Sequence, residues 1–117
     1  MPVRFCAAMA ALLAAAALTG CAGTSSSAPK NADITVNVVN GKPQGGVKTY
    51  KVKKGGHVHL VVKSDVADEI HVHGYNFHKD VPKGGTVTFD FPAKIDGGFI
   101  AELENAHQTL INLQVEP

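Results

Sequence analysis

Residues 52–60 read Val-Lys-Lys-Gly-Gly-His-Val-His-Leu, and residues 81–89 repeat the pattern as Val-Pro-Lys-Gly-Gly-Thr-Val-Thr-Phe. In both copies a Gly-Gly pair precedes a run in which polar and apolar residues alternate. Adjacent glycines supply the positive φ angles that a tight turn requires, and alternation with period two is typical of a strand with one buried face. The repeat therefore predicts two turn-and-strand units, with His57 and His59 on an outer, solvated face of the first.

The same alternation continues through the rest of the chain, where turns containing glycine or proline separate the apolar runs. We expect strands at residues 34–38, 49–52, 57–63, 69–73, 86–91, 99–104 and 110–115. No stretch beyond residue 32 has the periodicity of an amphipathic helix. About seven short strands at this spacing predict an all-β fold, namely an antiparallel Greek-key β-sandwich in one small domain.

Composition and charge exclude several classes of function. The chain has 117 residues with 11 Lys and Arg against 10 Asp and Glu, and this balance gives no electrostatic reason to expect a nucleic acid as a partner. It has neither a nucleophile elbow of the Gly-x-Ser-x-Gly type nor a phosphate-binding glycine loop before a helix. Glu102 and Glu104 are expected to form a solvated face and not a glycosidase pair. The sequence therefore predicts a protein that is not an enzyme.

The amino terminus has the pattern of an export signal. Arg4 is followed by an apolar run at residues 5–18, which has the length of a signal-peptide core and is shorter than a membrane span. The run ends in Leu18-Thr19-Gly20-Cys21, which resembles the lipobox of bacterial lipoproteins. The resemblance implies that residues 1–20 are removed and that Cys21 is acylated, so that the membrane is a partner through this lipid anchor.

The segment after Cys21 is rich in alanine and serine and has nothing to bury, so we expect residues 21–32 to be the lipidated cysteine and a flexible tether. The folded domain then comprises residues 33–117. These features predict a location at the cell envelope, facing outside the cytoplasm, and leave any protein partner undetermined. Both cysteines and both methionines lie at or before Cys21, so the predicted domain contains neither residue type.

The stretch Asp68-Glu69-Ile70-His71-Val72-His73-Gly74-Tyr75 resembles a motif of small cupredoxin-like lipoproteins, and it is also similar to a segment in the copper domain of cytochrome oxidase subunit II. The resemblance implies a cupredoxin-like sandwich over residues 33–117 and copper as the cofactor. In this family a blue-copper site takes one histidine from the fourth strand. Its cysteine, second histidine and methionine come from the loop before the last strand.

That loop lacks the sulfur ligands in this sequence. Aligned on the family's spacing, Glu104 stands at the cysteine position, His107 at the histidine position and Leu110 at the methionine position, while a shift of one residue puts Leu103 in place of the cysteine. Blue copper needs a thiolate, with two imidazoles and a weak axial ligand. The sequence therefore argues against standard blue-copper electron transfer.

Histidine and glutamate remain as candidate metal ligands. His71 and His73 are two residues apart on a predicted strand, so both imidazoles point to one face. We expect His78, His107 and Glu104 to approach them at one end of the sandwich and to complete a site for Cu(II) or, second, Zn(II). Two alternatives stay open. The site is lost and the domain is a metal-free binding or structural module of the envelope, or a partner supplies a missing ligand for electron transfer.

Overall fold

The computed structural model describes residues 27–117, and these residues form nine β-strands in two sheets. The strands are β1 (Asn31–Val39), β2 (Lys42–Pro43), β3 (Lys48–Lys53), β4 (His57–Ser64), β5 (Asp68–Val72), β6 (Phe77–Val81), β7 (Thr86–Pro92), β8 (Gly97–Leu103) and β9 (Gln108–Glu116). One sheet has the order β2-β1-β4-β7 and the other the order β3-β9-β8-β5-β6. The predicted all-β sandwich is confirmed. The predicted signal peptide, Cys21 and the first part of the tether lie outside the described residues.

The strand pairing differs from the predicted antiparallel arrangement in two places. β1 runs parallel to β4, and β3 runs parallel to β9. Parallel neighbours cannot be joined by a tight hairpin, so the chain reaches each of these partners by way of other strands. The two sheets are therefore mixed, and the sequence pattern contains no signal for these long-range pairings.

β2 and β6 are strands that the sequence analysis did not predict. β6 has four consecutive exposed residues before the buried Val81, so it lacks the alternation that marks a half-buried strand. It lies at the edge of the five-stranded sheet and carries Lys79 and Asp80, which are typical of protected sheet edges. β2 has only two residues and pairs with the end of β1.

The core lies between the two sheets and is built from alternate positions of the strands. β1 shows strict alternation of exposed and buried residues, and β4 buries every second side chain from Val58 onward. The largest fully buried side chains are Phe89, Phe91, Ile34, Leu60, Ile70, Leu103 and Leu110. Because one face of each sheet covers this core, polar residues at the intervening positions are collected on two outer faces.

The repeated Gly-Gly turns have the predicted conformation at the first glycine of each pair. Gly55 and Gly84 have φ angles of 86° and 74°. Gly56 is required for another reason, because a Cβ atom there would lie 1.6 Å from the Lys30 carbonyl oxygen. Lys30 precedes β1, and its carbonyl accepts a hydrogen bond from the His57 amide. The turn thus fastens the start of β4 to the start of β1.

His57 and His59 lie on the outer face of the four-stranded sheet, as predicted, with side chains 51% and 43% exposed. β4 and β5 belong to different sheets, so His57 and His59 are not on the same sheet as His71. Between residues 27 and 117, no helix is long and apolar enough to cross a membrane.

Candidate metal centre

The outer face of the five-stranded sheet brings together histidine and glutamate side chains from three neighbouring strands. In β5, Ile70 and Val72 are buried, so His71 points away from the core. The strand register places His78 of β6 on one side of His71 and Glu102 of β8 on the other. The candidate site therefore lies on the outer face of the five-stranded sheet, whereas the predicted position was at one end of the sandwich.

Four side chains converge closely enough to hold one ion. One ligand atom from each of His71, His73, Glu102 and Glu104 lies within 4.8 Å of all the others, and among residues 27–117 this is the single group of three or more such residues that does so. His71 Nδ1 is 3.0 Å from Glu104 Oε2, and His73 Nε2 is 2.5 Å from Glu102 Oε1. The predicted residues His71, His73 and Glu104 are thus adjacent, and Glu102 joins them.

Burial divides the group into two pairs. The side chains of His71 and Glu102 are 15% exposed, whereas those of His73 and Glu104 are 41% exposed. The covered residues are the two that face each other across β5 and β8, at the centre of the cluster. An ion in the group would therefore have protein on one side and solvent on the other.

His78 lies beside the group without belonging to it. Its ring stacks on His71 with the centroids 3.9 Å apart and an interplanar angle of 17°. The Nδ1 atom of His78 lies 2.6 Å from Glu69 Oε1, and its Nε2 atom lies 3.2 Å from Asn76 Oδ1. These two hydrogen bonds hold the His78 ring stacked against the ring of His71.

His107 is not brought to the group. It is exposed, lies in the turn between β8 and β9, and has a φ angle of 51°. The Asp68 carboxylate accepts hydrogen bonds from the Asn105 and Ala106 amides at 2.9 and 3.2 Å, which fixes this turn against the start of β5. Glu104, at the beginning of the same turn, is the residue that reaches His71.

Glu102 is the residue that sequence reasoning assigned to a solvated face and did not place among the metal ligands. It alternates with the buried residues Ala101 and Leu103, so it points outward toward the same surface as His71. A signal was present in the sequence, because Glu102 and Glu104 have the same spacing of two as His71 and His73. The two histidines and the two glutamates form one cluster only because β5 pairs with β8.

The region around the group is rich in negative charge. Asp68, Glu69, Asp80, Glu102 and Glu104 all belong to this corner of the sheet and account for half of the 10 acidic residues of the chain. The hydrogen bond from His73 is the main cause that lowers the pKa of Glu102 below its ordinary value. The Glu102 carboxylate therefore stays ionised in mildly acidic solution, which favours a bound cation.

The donor set decides which ions the site fits. Two imidazoles and two carboxylates suit Cu(II) and Zn(II), since both accept mixed nitrogen and oxygen ligands. A blue-copper centre does not fit, because residues 22–117 contain neither cysteine nor methionine. Bound copper would lack the intense charge-transfer colour that a thiolate gives.

Comparisons with known proteins establish the fold class. The chain is similar to a copper-binding protein in its apo form, with 19% identity and a TM-score of 0.57 over 77% of this chain and 92% of that one. It is also similar to the metal-binding domain of the Cu(I)-exporting P-type ATPase of Streptococcus pneumoniae, with 10% identity and a TM-score of 0.52 over 73% and 96%. The fold is cupredoxin-like, as the motif at Asp68–Tyr75 implied.

Larger copper enzymes contain the same fold as a part. The copper nitrite reductase of Nitrosomonas europaea matches with 15% identity and a TM-score of 0.58 over 74% of this chain, which spans only 42% of the enzyme. No protein-family model matches the chain. No curated protein matches it significantly by sequence.

Proposed function

We propose that this chain is a copper-binding protein that holds Cu(II) between His71, His73, Glu102 and Glu104. The observation that carries the proposal is the convergence of four ligand atoms within 4.8 Å. His71 and Glu102 lie on paired strands, and His73 and Glu104 follow directly after those strands, so the four ligands form a preorganised chelate. Since no thiolate stabilises Cu(I), the ion is held in the oxidised state, and the protein stores, senses or delivers copper.

The solved structures with the same fold give independent support for the choice of copper. They include a copper-binding protein, a Cu(I)-exporting ATPase domain and copper nitrite reductase. Zn(II) has similar ligand preferences, but Cu(II) binds a given nitrogen and oxygen site more tightly. Copper is therefore the ion that we assign to the group.

The protein works, in this proposal, at the outer side of a membrane. The support is the sequence Leu18-Thr19-Gly20-Cys21 after an apolar run, which resembles a lipobox. Acylation of Cys21 would fix the chain to the bilayer, and the serine-rich segment behind it would lift the domain from the surface. No catalytic role is assigned, and the bound metal is the cargo.

Titration of the purified full chain with Cu(II), followed by electron paramagnetic resonance, tests the proposal. We expect a tetragonal Cu(II) signal with nitrogen couplings. Replacing His71→Ala together with His73→Ala should weaken binding by more than the ~10–100-fold that loss of an outer partner costs. His107→Ala is the matched control, because His107 is an exposed histidine outside the group, and it should leave the signal unchanged. A signal that is the same in the His71/His73 variant and the wild type contradicts the proposal.

A metal-free module is the second candidate function. The observation in its favour is that each histidine of the group already has a carboxylate partner, at 3.0 Å for His71 and 2.5 Å for His73. Such pairs satisfy the polar groups without an ion. In this case Cu(II) would bind no more tightly to the wild type than to the His71/His73 variant, and the same titration separates the two candidates.

A further inference from the structure

A second cluster of histidine and aspartate lies on the outer face of the four-stranded sheet, which is the layer opposite the candidate metal centre. His57 and His59 flank the buried Val58 along β4, so both imidazoles leave the strand on the same side. Asp90 of β7 is the register partner of His59 on one side, and Asp33 of β1 is its partner on the other. The arrangement thus sets His59 between two carboxylates, one of which also contacts His57.

One carboxylate oxygen contacts both histidines. Asp90 Oδ1 lies 2.5 Å from His59 Nδ1 and 3.4 Å from His57 Nε2. The three side chains are about half exposed, at 51% for His57, 43% for His59 and 53% for Asp90. A cation beside Asp90 Oδ1 would be reached directly from solvent, and it would gain both imidazole nitrogens as donors once the two rings turn toward it.

We propose that His57, His59 and Asp90 form a second metal site, which takes a divalent ion with nitrogen and oxygen preferences such as Cu(II). Asp33 contributes a second negative charge on the far side of His59. This ligand chemistry is the same as that of the first site. The protein would then carry one ion on each face of the sandwich.

The scaffold of this second site is rigid, whereas its side chains are not. β4 is hydrogen-bonded to β1 on one edge and to β7 on the other, so the backbone positions of all the ligands are fixed. The ligand atoms do not converge as closely as the four atoms of the first site. The exposed rings must turn toward the ion, and ordering them costs conformational entropy. The second ion is therefore bound more weakly than the first.

Titration with Cu(II) alone, carried out on the full chain, tests the second site. The wild type should bind two equivalents, and the variant with His71→Ala and His73→Ala should retain one. Adding His57→Ala and His59→Ala to that variant should abolish the retained equivalent. Both residues are on the surface, and circular dichroism should show the strand content unchanged.

A single substitution distinguishes a built site from loose binding by surface histidines. Asp90→Asn leaves both imidazoles in place and removes the carboxylate oxygen that contacts them, and it should weaken the second equivalent at least ~10-fold, the lower end of what losing a metal-site partner costs. Asp96→Asn is the matched control, since Asp96 is an exposed aspartate paired with Lys54, and it should leave the affinity for the second equivalent unchanged.

Three results would overturn the second site. The variant with His71→Ala and His73→Ala binds no equivalent, the retained equivalent persists after His57 and His59 are also replaced, or Asp90→Asn leaves its affinity unchanged. Failure of the His71/His73 site gives a different pattern, because the wild type and the His71/His73 variant then bind the same single equivalent.

Discussion

His71 of β5 and Glu102 of β8 face each other in the strand register, but each is hydrogen-bonded to a residue two positions beyond that partner, just past the end of the neighbouring strand. His71 bonds to Glu104, and Glu102 bonds to His73. The two pairs are therefore interleaved, and their four ligand atoms surround one small volume. A cation entering it must displace the two ring protons, so copper affinity should fall as the imidazoles become protonated.

Asp68 is predicted to position Glu104 without touching the metal. Its carboxylate accepts hydrogen bonds from the Asn105 and Ala106 amides in the turn that follows Glu104. Asp68→Asn replaces one acceptor oxygen by a donor, which loosens this turn. We expect a ~10-fold loss of Cu(II) affinity, as for outer-shell partners of metal ligands, together with altered hyperfine couplings in the paramagnetic resonance spectrum.

Two control variants distinguish the positioning of Glu104 by Asp68 from the general effect of removing a carboxylate charge. Asp65 caps another turn by accepting hydrogen bonds from Asn40 and Gly41, and Asp65→Asn should leave copper binding unchanged. Asp80→Asn removes a nearby charge without affecting the turn. If Asp80→Asn weakens binding as much as Asp68→Asn and leaves the same couplings, the role of Asp68 is electrostatic and the positioning account is wrong.

Gly56→Ala is predicted to destabilise the sandwich strongly. A Cβ atom at Gly56 would lie 1.6 Å from the Lys30 carbonyl oxygen and 2.9 Å from that of Lys53. The backbone must shift, and overpacking of this kind costs about 1–3 kcal/mol or more of unfolding free energy. Urea denaturation of the purified variants measures this cost.

Gly98→Ala is the matched control for this substitution. A Cβ atom at Gly98 meets nothing within 4 Å, and its φ is not positive. We expect stability to stay the same or to rise by about 0.4–1 kcal/mol, because alanine restricts the unfolded chain. Equal denaturation midpoints for the two variants would show that Gly56 does not have the close contact described.

The pH dependence of stability should include a contribution from Asp96. The hydrogen bond that Lys54 Nζ donates at 3.1 Å lowers the pKa of Asp96 below its ordinary value of 3.8. A carboxyl group with a lowered pKa in the folded state stabilises the fold above its unfolded pKa. This contribution is lost as the pH falls through the lowered value.

Lys54→Met tests this contribution. The substitution should raise the pKa of Asp96 toward its ordinary value, and carboxyl chemical shifts measured by nuclear magnetic resonance report the change. The stability difference between the wild type and Lys54→Met should be present at neutral pH and disappear in strong acid. An Asp96 pKa that does not move in the variant would contradict the assigned cause.

Local patterns in the sequence were sufficient to predict the type of fold. Alternation assigned the buried faces of β1, β4 and β7, and the Gly-Gly repeat predicted the turns at Gly55 and Gly84. β6 was missed because an edge strand with a mostly exposed sequence has no alternation. The parallel pairs β1–β4 and β3–β9 could not be predicted, since no local signal determines which distant strands become neighbours.

Part of the candidate site could also be predicted from local patterns in the sequence. His71 and His73 share a face at any strand pairing, and Glu104 was expected nearby because it stands at the family's cysteine position in the loop before the last strand. Glu102 depended on the register of β5 against β8, which the sequence does not reveal. His107 was expected at the site from the family's loop spacing, but the turn capped by Asp68 leaves it exposed.

A crystal structure of the full chain with one equivalent of Cu(II), with anomalous scattering measured at the copper edge, locates the bound ion. We expect one strong anomalous peak between His71, His73, Glu102 and Glu104, within bonding distance of both imidazoles. A peak elsewhere, or His71–Glu104 and His73–Glu102 pairs that remain intact with no ion between them, would contradict the proposed copper site.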